Sequence, residues 1–187
     1  YMNAETPSVL IDLQHGPTWN QQQYHSQVSL CDVKWEDAQT LTGHVRNSVW
    51  VNQDYFFVLK FNRPTTEQIN LPMAETEKGQ RIVACFDMQP GDELMTKIAL
   101  STTSVEGARK NMDTEMPGWD FEGTIAQADQ AWEKALAKVA MESSDAKAKK
   151  IFYTALYHTM VAPSEFCDVN GDYYGADHQM HKGEGYK

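Results

Sequence analysis

At Ser101 the hydrophobic period of this chain changes from two to between three and four, and that change limits what each half can become. Before it, short β-type runs are separated by turn residues. Val9, Ile11 and Leu13 alternate in a run that stops at the turn His15-Gly16-Pro17, and a polar, glutamine-rich connection follows at Asn20 to Gln23. Val28, Leu30 and Val33 make the next alternating run, and Leu41–Val45, Ser48–Val51 and Tyr55–Phe61 read as three more strands. YFFVLKF, the last of these, is so rich in aromatic and β-branched residues that the centre of a sheet is its expected place. Thr65–Lys78 reads as a polar connection, and Arg81–Phe86 and Leu94–Leu100 as strands joined by a turn at Gln89-Pro90-Gly91-Asp92. About seven short strands with no helix between them predict an antiparallel β-sandwich over residues 1–100.

After Ser101 the pattern is helical. Thr103 and Glu106 have the spacing of a capping box, so a helix is expected near 104–115, ending before Pro117-Gly118. Asp120 is a suitable N-cap for a second helix near 120–140, where Phe121, Ile125, Ala128, Trp132, Leu136 and Val139 line one face. A polar break at Ser143–Lys150 leads into a third helix near 146–161. Phe152, Leu156 and Met160 form its stripe, and Pro163 marks its stop. These apolar stripes exceed what two or three helices and a sheet can bury, so a larger helical partner is expected. The division is therefore sandwich over 1–100, helical linker over 101–143, and the start of a helical domain over 144–187.

Charge and cysteine usage exclude several functions. A net charge of -10 and a pI near 5.0 disfavour nucleic acid or an anionic membrane surface, both of which call for clustered Lys and Arg. A neutral polar partner such as a sugar is compatible with that charge. Cys31, Cys85 and Cys167 are far apart and form no metal-binding spacing. No apolar run is long enough to span a membrane. The abrupt ends of the chain read as those of a piece cut from a longer protein.

The residues with chemical promise cluster after the third helix. Asp168, Asn170 and Asp172 have the spacing of the first three ligands of a calcium loop, but Tyr173 and Gln179 stand where its glycine and bidentate glutamate are required. An Asx turn over Asp168–Gly171 is the plainer reading. His178, His181 and Glu184 resemble a metal cluster only loosely. Carboxylates for glycoside hydrolysis could be drawn from Asp168, Asp172 and Glu184, yet sequence does not give the separation such a pair needs.

Two longer stretches carry a family resemblance. ALSTTSVEGARKNMDTEMPGWDFEGTIAQADQAWEKALAKV, Ala99–Val139, and FYTALYHTMVAPSEFCDVNGDYYG, Phe152–Gly175, resemble the linker and the opening of the catalytic domain in glycoside hydrolase family 92, the calcium-dependent exo-acting α-mannosidases. VLIDLQHG, GHVRNSVW and YFFVLKF resemble the back half of that family's sandwich more loosely. The resemblance implies an internal fragment: the end of an N-terminal sandwich, then helices that begin an (α/α)6-type barrel. It implies a parent enzyme that removes terminal α-linked mannose with inversion and uses Ca2+, which this piece is not expected to bind. It implies a mannose-containing glycan and the remainder of the same enzyme as partners, and a secreted or periplasmic bacterial parent. The family's acid and base lie in the barrel beyond Lys187, so no catalytic residue and no metal ligand is carried onto a position here, and the chain alone is expected to be inactive. Phe166, Asp168, Asn170 and Tyr174 are the expected substrate-binding residues, with Asp168 the foremost polar contact to the sugar. The competing reading from the residues themselves is a non-catalytic carbohydrate-binding or adhesion sandwich, suggested by Trp19, Trp35 and Trp50.

Overall fold

A computed structural model describes residues 6–15, 27–48, 52–162 and 166–183. The turn expected at 15–17, the connection at 20–23, Trp19, Trp50, Pro163 and Glu184 lie wholly or partly outside those residues. The described chain forms two compact units. One is Tyr1–Pro117 with Cys167–Glu184, and the other is Gly118–Phe166 with Gly185–Lys187.

The first unit contains two antiparallel sheets. β1 (Ser8–Asp12), β6 (Arg81–Phe86) and β5 (Thr65–Asn70) form one, in the order β1-β6-β5. β2 (Gln27–Trp35), β3 (Thr40–Ser48), β4 (Asn52–Phe61) and β7 (Thr96–Ser101) form the other, in that order. Inward-facing residues of both sheets meet in one core, built on Ile11, Leu41, Val45, Phe57, Leu59, Phe61, Ile82, Ala84 and Phe86. Phe61 meets Phe86 edge-on at 5.0 Å between centroids, a favoured aromatic geometry.

YFFVLKF lies where its composition places it, between β3 and β7. Its second face is covered as well, because helix α1 (Val105–Glu115) buries Val58 and Ala99 beneath Ala108 and Met112. A strand covered on both faces needs a continuous apolar run rather than strict alternation, and 57–59 supply it.

Two strand expectations need correction. Leu41–Val45 is only the middle of a longer strand, since β3 runs unbroken from Thr40 to Ser48 and pairs residue by residue with β4; the expected strand Ser48–Val51 lies, beyond Ser48, outside the described residues. The polar stretch that looked like an interruption is the outer face of the strand, where Arg46 and Ser48 stand opposite Asp54 and Asn52. Thr65–Asn70 is an edge strand rather than a connection. Its burial is slight, so only Ile69 carries an apolar signal.

α1 begins one residue later than the capping-box reading. Ser104 is the N-cap, and its hydroxyl accepts from the Gly107 N–H at 2.9 Å. Lys97 donates to the Met116 carbonyl at 2.6 Å and satisfies the other end. Cys167–Glu184 closes the unit with a hairpin, β8 (Asp172–Tyr174) against β9 (Met180–Lys182).

The second unit is α2 (Phe121–Leu136) and α3 (Ala146–Met160), capped by Asp120 and Asp145 as the side-chain spacing dictates. Trp132 packs on Tyr157 at 4.6 Å, and the Tyr153 hydroxyl donates to the Val139 carbonyl at 3.2 Å. Neither helix buries a residue fully, and Phe121 remains 64% exposed. Two helices side by side hide only the strip between them, so the stripes read from sequence stay open to further packing.

Candidate functional site: the loop and hairpin after helix α3

The loop that carries three of the expected site residues is fastened to the sheet unit by a buried carboxylate. Asp168 is 5% exposed. Its Oδ2 accepts from the hydroxyls of Ser101, at 2.8 Å, and Thr103, at 2.6 Å, while Oδ1 accepts from the Asn111 side-chain amide at 2.8 Å. Asn111 is itself fixed, because its amide also donates to the Leu100 carbonyl and its oxygen accepts from the Val169 N–H. The Ser101 hydroxyl accepts from the backbone N–H groups of Thr103 and Ser104. A buried carboxylate ringed by donors is a satisfied one, and each charge-assisted bond is stronger than a neutral one.

Space at this point is as restricted as the hydrogen bonding. A side chain on Gly107 would collide with Asp168 Oδ2 and with the Ser101 and Thr103 hydroxyls. Helix α1 thus presents bare backbone where the loop docks.

Beyond Asp168 the chain turns sharply. The Gly171 N–H donates to the Asp168 carbonyl at 2.7 Å, so a backbone turn replaces the expected Asx turn at Asp168. The Asx geometry falls at Asn170 instead: its oxygen accepts from the Asp172 N–H at 3.1 Å and its amide donates to the Asp172 carboxylate at 2.7 Å. Gly171 has φ +86, and any side chain there would also meet the Gly183 carbonyl.

The hairpin then displays aromatic and ionisable groups together. Tyr173 stacks on His181 at 5.4 Å, and His181 Nε2 lies 2.9 Å from both Asp177 oxygens. That histidine contact, with a smaller opposing effect of desolvation, holds the Asp177 carboxyl below its ordinary range. Tyr174 lies near His178, with ring centroids 6.2 Å apart, and is 39% exposed.

The four expected site residues therefore have different places. Asp168, Asn170 and Tyr174 belong to the sheet unit, while Phe166 is assigned to the helical unit and is exposed. Asn170 is half-buried and engaged with Asp172. The Asp168 carboxylate faces inward. Sequence reasoning did not single out Ser101, Thr103 and Asn111 as its partners, because they stand 67, 65 and 57 residues away. Among the described residues no group of three or more His, Cys, Asp or Glu side chains could hold a metal ion.

Comparison with known proteins adds a family match over part of the chain and a fold. Residues 107–187 match the glycosyl hydrolase family 92 catalytic domain. The chain superposes on the GH92 family glycosyl hydrolase ccman5 with a TM-score of 0.78 at 22% identity, covering 98% of this chain and 25% of that one. It superposes equally well on the family GH92 inverting mannosidase BT2199 of Bacteroides thetaiotaomicron VPI-5482, with a TM-score of 0.78 at 21% identity over 97% of this chain and 25% of that one. The chain thus spans about a quarter of the length of these structures. No match to a curated protein is found.

Proposed function

We propose that this chain, whose residues 107–187 match the family 92 glycosyl hydrolase catalytic domain, is one wall of an enzyme that removes terminal α-linked mannose from glycans. The match that begins inside α1 carries the reading, because it joins the sheet unit to the opening of a catalytic domain. A free-standing sugar-binding sandwich has no need of such a sequence. The α-mannose specificity, inversion at the anomeric carbon and calcium dependence are parts of the proposal, supported by the likeness to a structure described as an inverting mannosidase. So are the completion of α2 and α3 into an (α/α) barrel by further helices, and a secreted or periplasmic parent.

An inverting mechanism holds two carboxyl groups far enough apart to admit water, one acting as acid and the other as base. Calcium bound to the intact enzyme would orient the sugar. No residue of this chain takes either role. The proposed share of this chain is binding. Asn170, Tyr174 and Phe166 would line the sugar site, and Asp168 would act as a positioning residue through the loop it holds. A mixture of amide and ring edges recognises hydroxyls and the apolar face of a sugar together.

Two assays test the reading. The full-length enzyme should hydrolyse an aryl α-mannoside, release β-mannose first by NMR, and lose activity on chelation with recovery on added calcium. The 187-residue chain assayed alike should show no turnover above background. An α-anomer as first product would refute inversion, and robust activity of the short chain would refute a purely binding share.

A further inference from the structure

With the Asp168 carboxylate turned inward, a charged contact to a sugar near the hairpin has to come from elsewhere, and the outer face of β3 and β4 offers one. There His44 stands opposite Phe56 and Arg46 opposite Asp54. Phe56 in turn stands opposite Ser101, the residue whose hydroxyl holds Asp168. The surface is therefore continuous with the anchor of the loop.

Three of its side chains form one network. Arg46 grips Asp54 with a fork, Nε at 2.8 Å and one terminal nitrogen at 3.1 Å. His44 Nε2 contacts the Asp54 oxygen that accepts from Arg46 Nε. The His44 ring lies on Phe56 at 4.2 Å with only 15° between planes. His44 and Asp54 keep about a quarter of their side-chain surface open and Arg46 rather more, at 23%, 24% and 38%.

We propose that the outer face of β3–β4, with His44, Arg46, Asp54 and Phe56, binds a neutral sugar of the glycan substrate. Asp54 offsets the charge of Arg46, so an anion would have to displace a bidentate partner and a cation would meet a guanidinium. A polyol does neither. It can accept from the guanidinium nitrogen that the fork leaves over and donate to Asp54, the paired donor and acceptor that adjacent hydroxyls require. The stacked His44–Phe56 pair supplies a flat rim for the C–H face of the ring. The polar residues at every second position of GHVRNS are the sequence signal, once the strand is known to be unbroken.

This inference rests on the reading that the hairpin faces the sugar, and the test separates the two. In the full-length enzyme, with an α-linked mannobiose as substrate, Arg46→Gln should raise KM by about tenfold or more while kcat changes little, since a hydrogen bond to a charged group has been lost. Its melting temperature should stay near that of the parent, because the pair is partly exposed. Arg46→Lys keeps the charge without the fork and should recover only part of the loss. Should Arg46→Gln fail to fold, His44→Gln and Phe56→Leu serve, each expected to raise KM several-fold. An unchanged KM, or a loss that follows stability, overturns the proposal. If Tyr174→Ala raises KM while the Arg46 variants do not, this surface is refuted and the hairpin reading stands; if none of them raises it, both fall.

Discussion

Replacing Asp168 by asparagine keeps the volume of the side chain and reverses the chemistry of one atom. The amide nitrogen must then face either the Ser101 and Thr103 hydroxyls or the side-chain amide of Asn111. Asn111 cannot turn to receive it, since its oxygen is held by the Val169 N–H at 2.9 Å and its nitrogen by the Leu100 carbonyl at 2.9 Å. Ser101 is no better placed, with its oxygen accepting from Thr103 and Ser104 at 2.9 and 3.3 Å and its proton committed to Asp168. Only Thr103 can rotate to accept. Either orientation thus sets a donor against a donor.

Bonds to charged groups contribute about 1.5–3 kcal/mol each, and an unsatisfied buried partner costs about 1–3 kcal/mol. An amide is cheaper to bury than a carboxylate, which returns part of that loss. The net expectation is about 2–3 kcal/mol. At roughly 2–4 °C per kcal/mol for a chain of this size, the melting temperature should fall by about 4–12 °C. Scanning fluorimetry measures the shift, and hydrogen exchange at the Phe57 and Ala84 amides, both in central strands of the sheet unit, assigns it to that unit. An unchanged melting temperature combined with lost sugar binding would refute the anchor and restore Asp168 as a ligand contact.

Gly171→Ala should destabilise the hairpin by at least about 1 kcal/mol, because φ +86 is disfavoured for alanine and the Gly183 carbonyl occupies the space; NMR shifts across Asp172–Lys182 check it. Acid sensitivity should include Asp12. Desolvation, the largest single influence, pushes its carboxyl upward, but bonds from the Gln14 backbone, His15 and Arg81 together prevail and hold it at about 2. A depressed folded pKa stabilises the fold above the ordinary value of 3.8, and that stabilisation is lost as pH falls toward about 2. Asp12→Asn should therefore flatten the stability profile between those two values, as followed by urea midpoints at each pH.

The helices, most of the strands and the position of the candidate loop were legible in the residues themselves, for a local reason. Hydrophobic period and capping side chains act over three or four positions, so Asp120 and the stripe from Phe121 to Leu136 specify α2 without knowledge of the rest. Where burial was weak the signal was weak too, which is why Thr65–Asn70 read as a connection and the polar outer face of β3 as an interruption. The chemistry of the loop was another matter. From sequence, Asp168 is a carboxylate in a polar loop after a helix, equally suited to touch a sugar or to hold a turn. Only the fold brings Ser101, Thr103 and Asn111 around it from 67, 65 and 57 residues away along the chain, and only strand register sets Arg46 against Asp54 on the neighbouring face. Whether a charged group faces solvent or interior depends on donors delivered by distant segments, and no local pattern along the chain encodes where those segments meet.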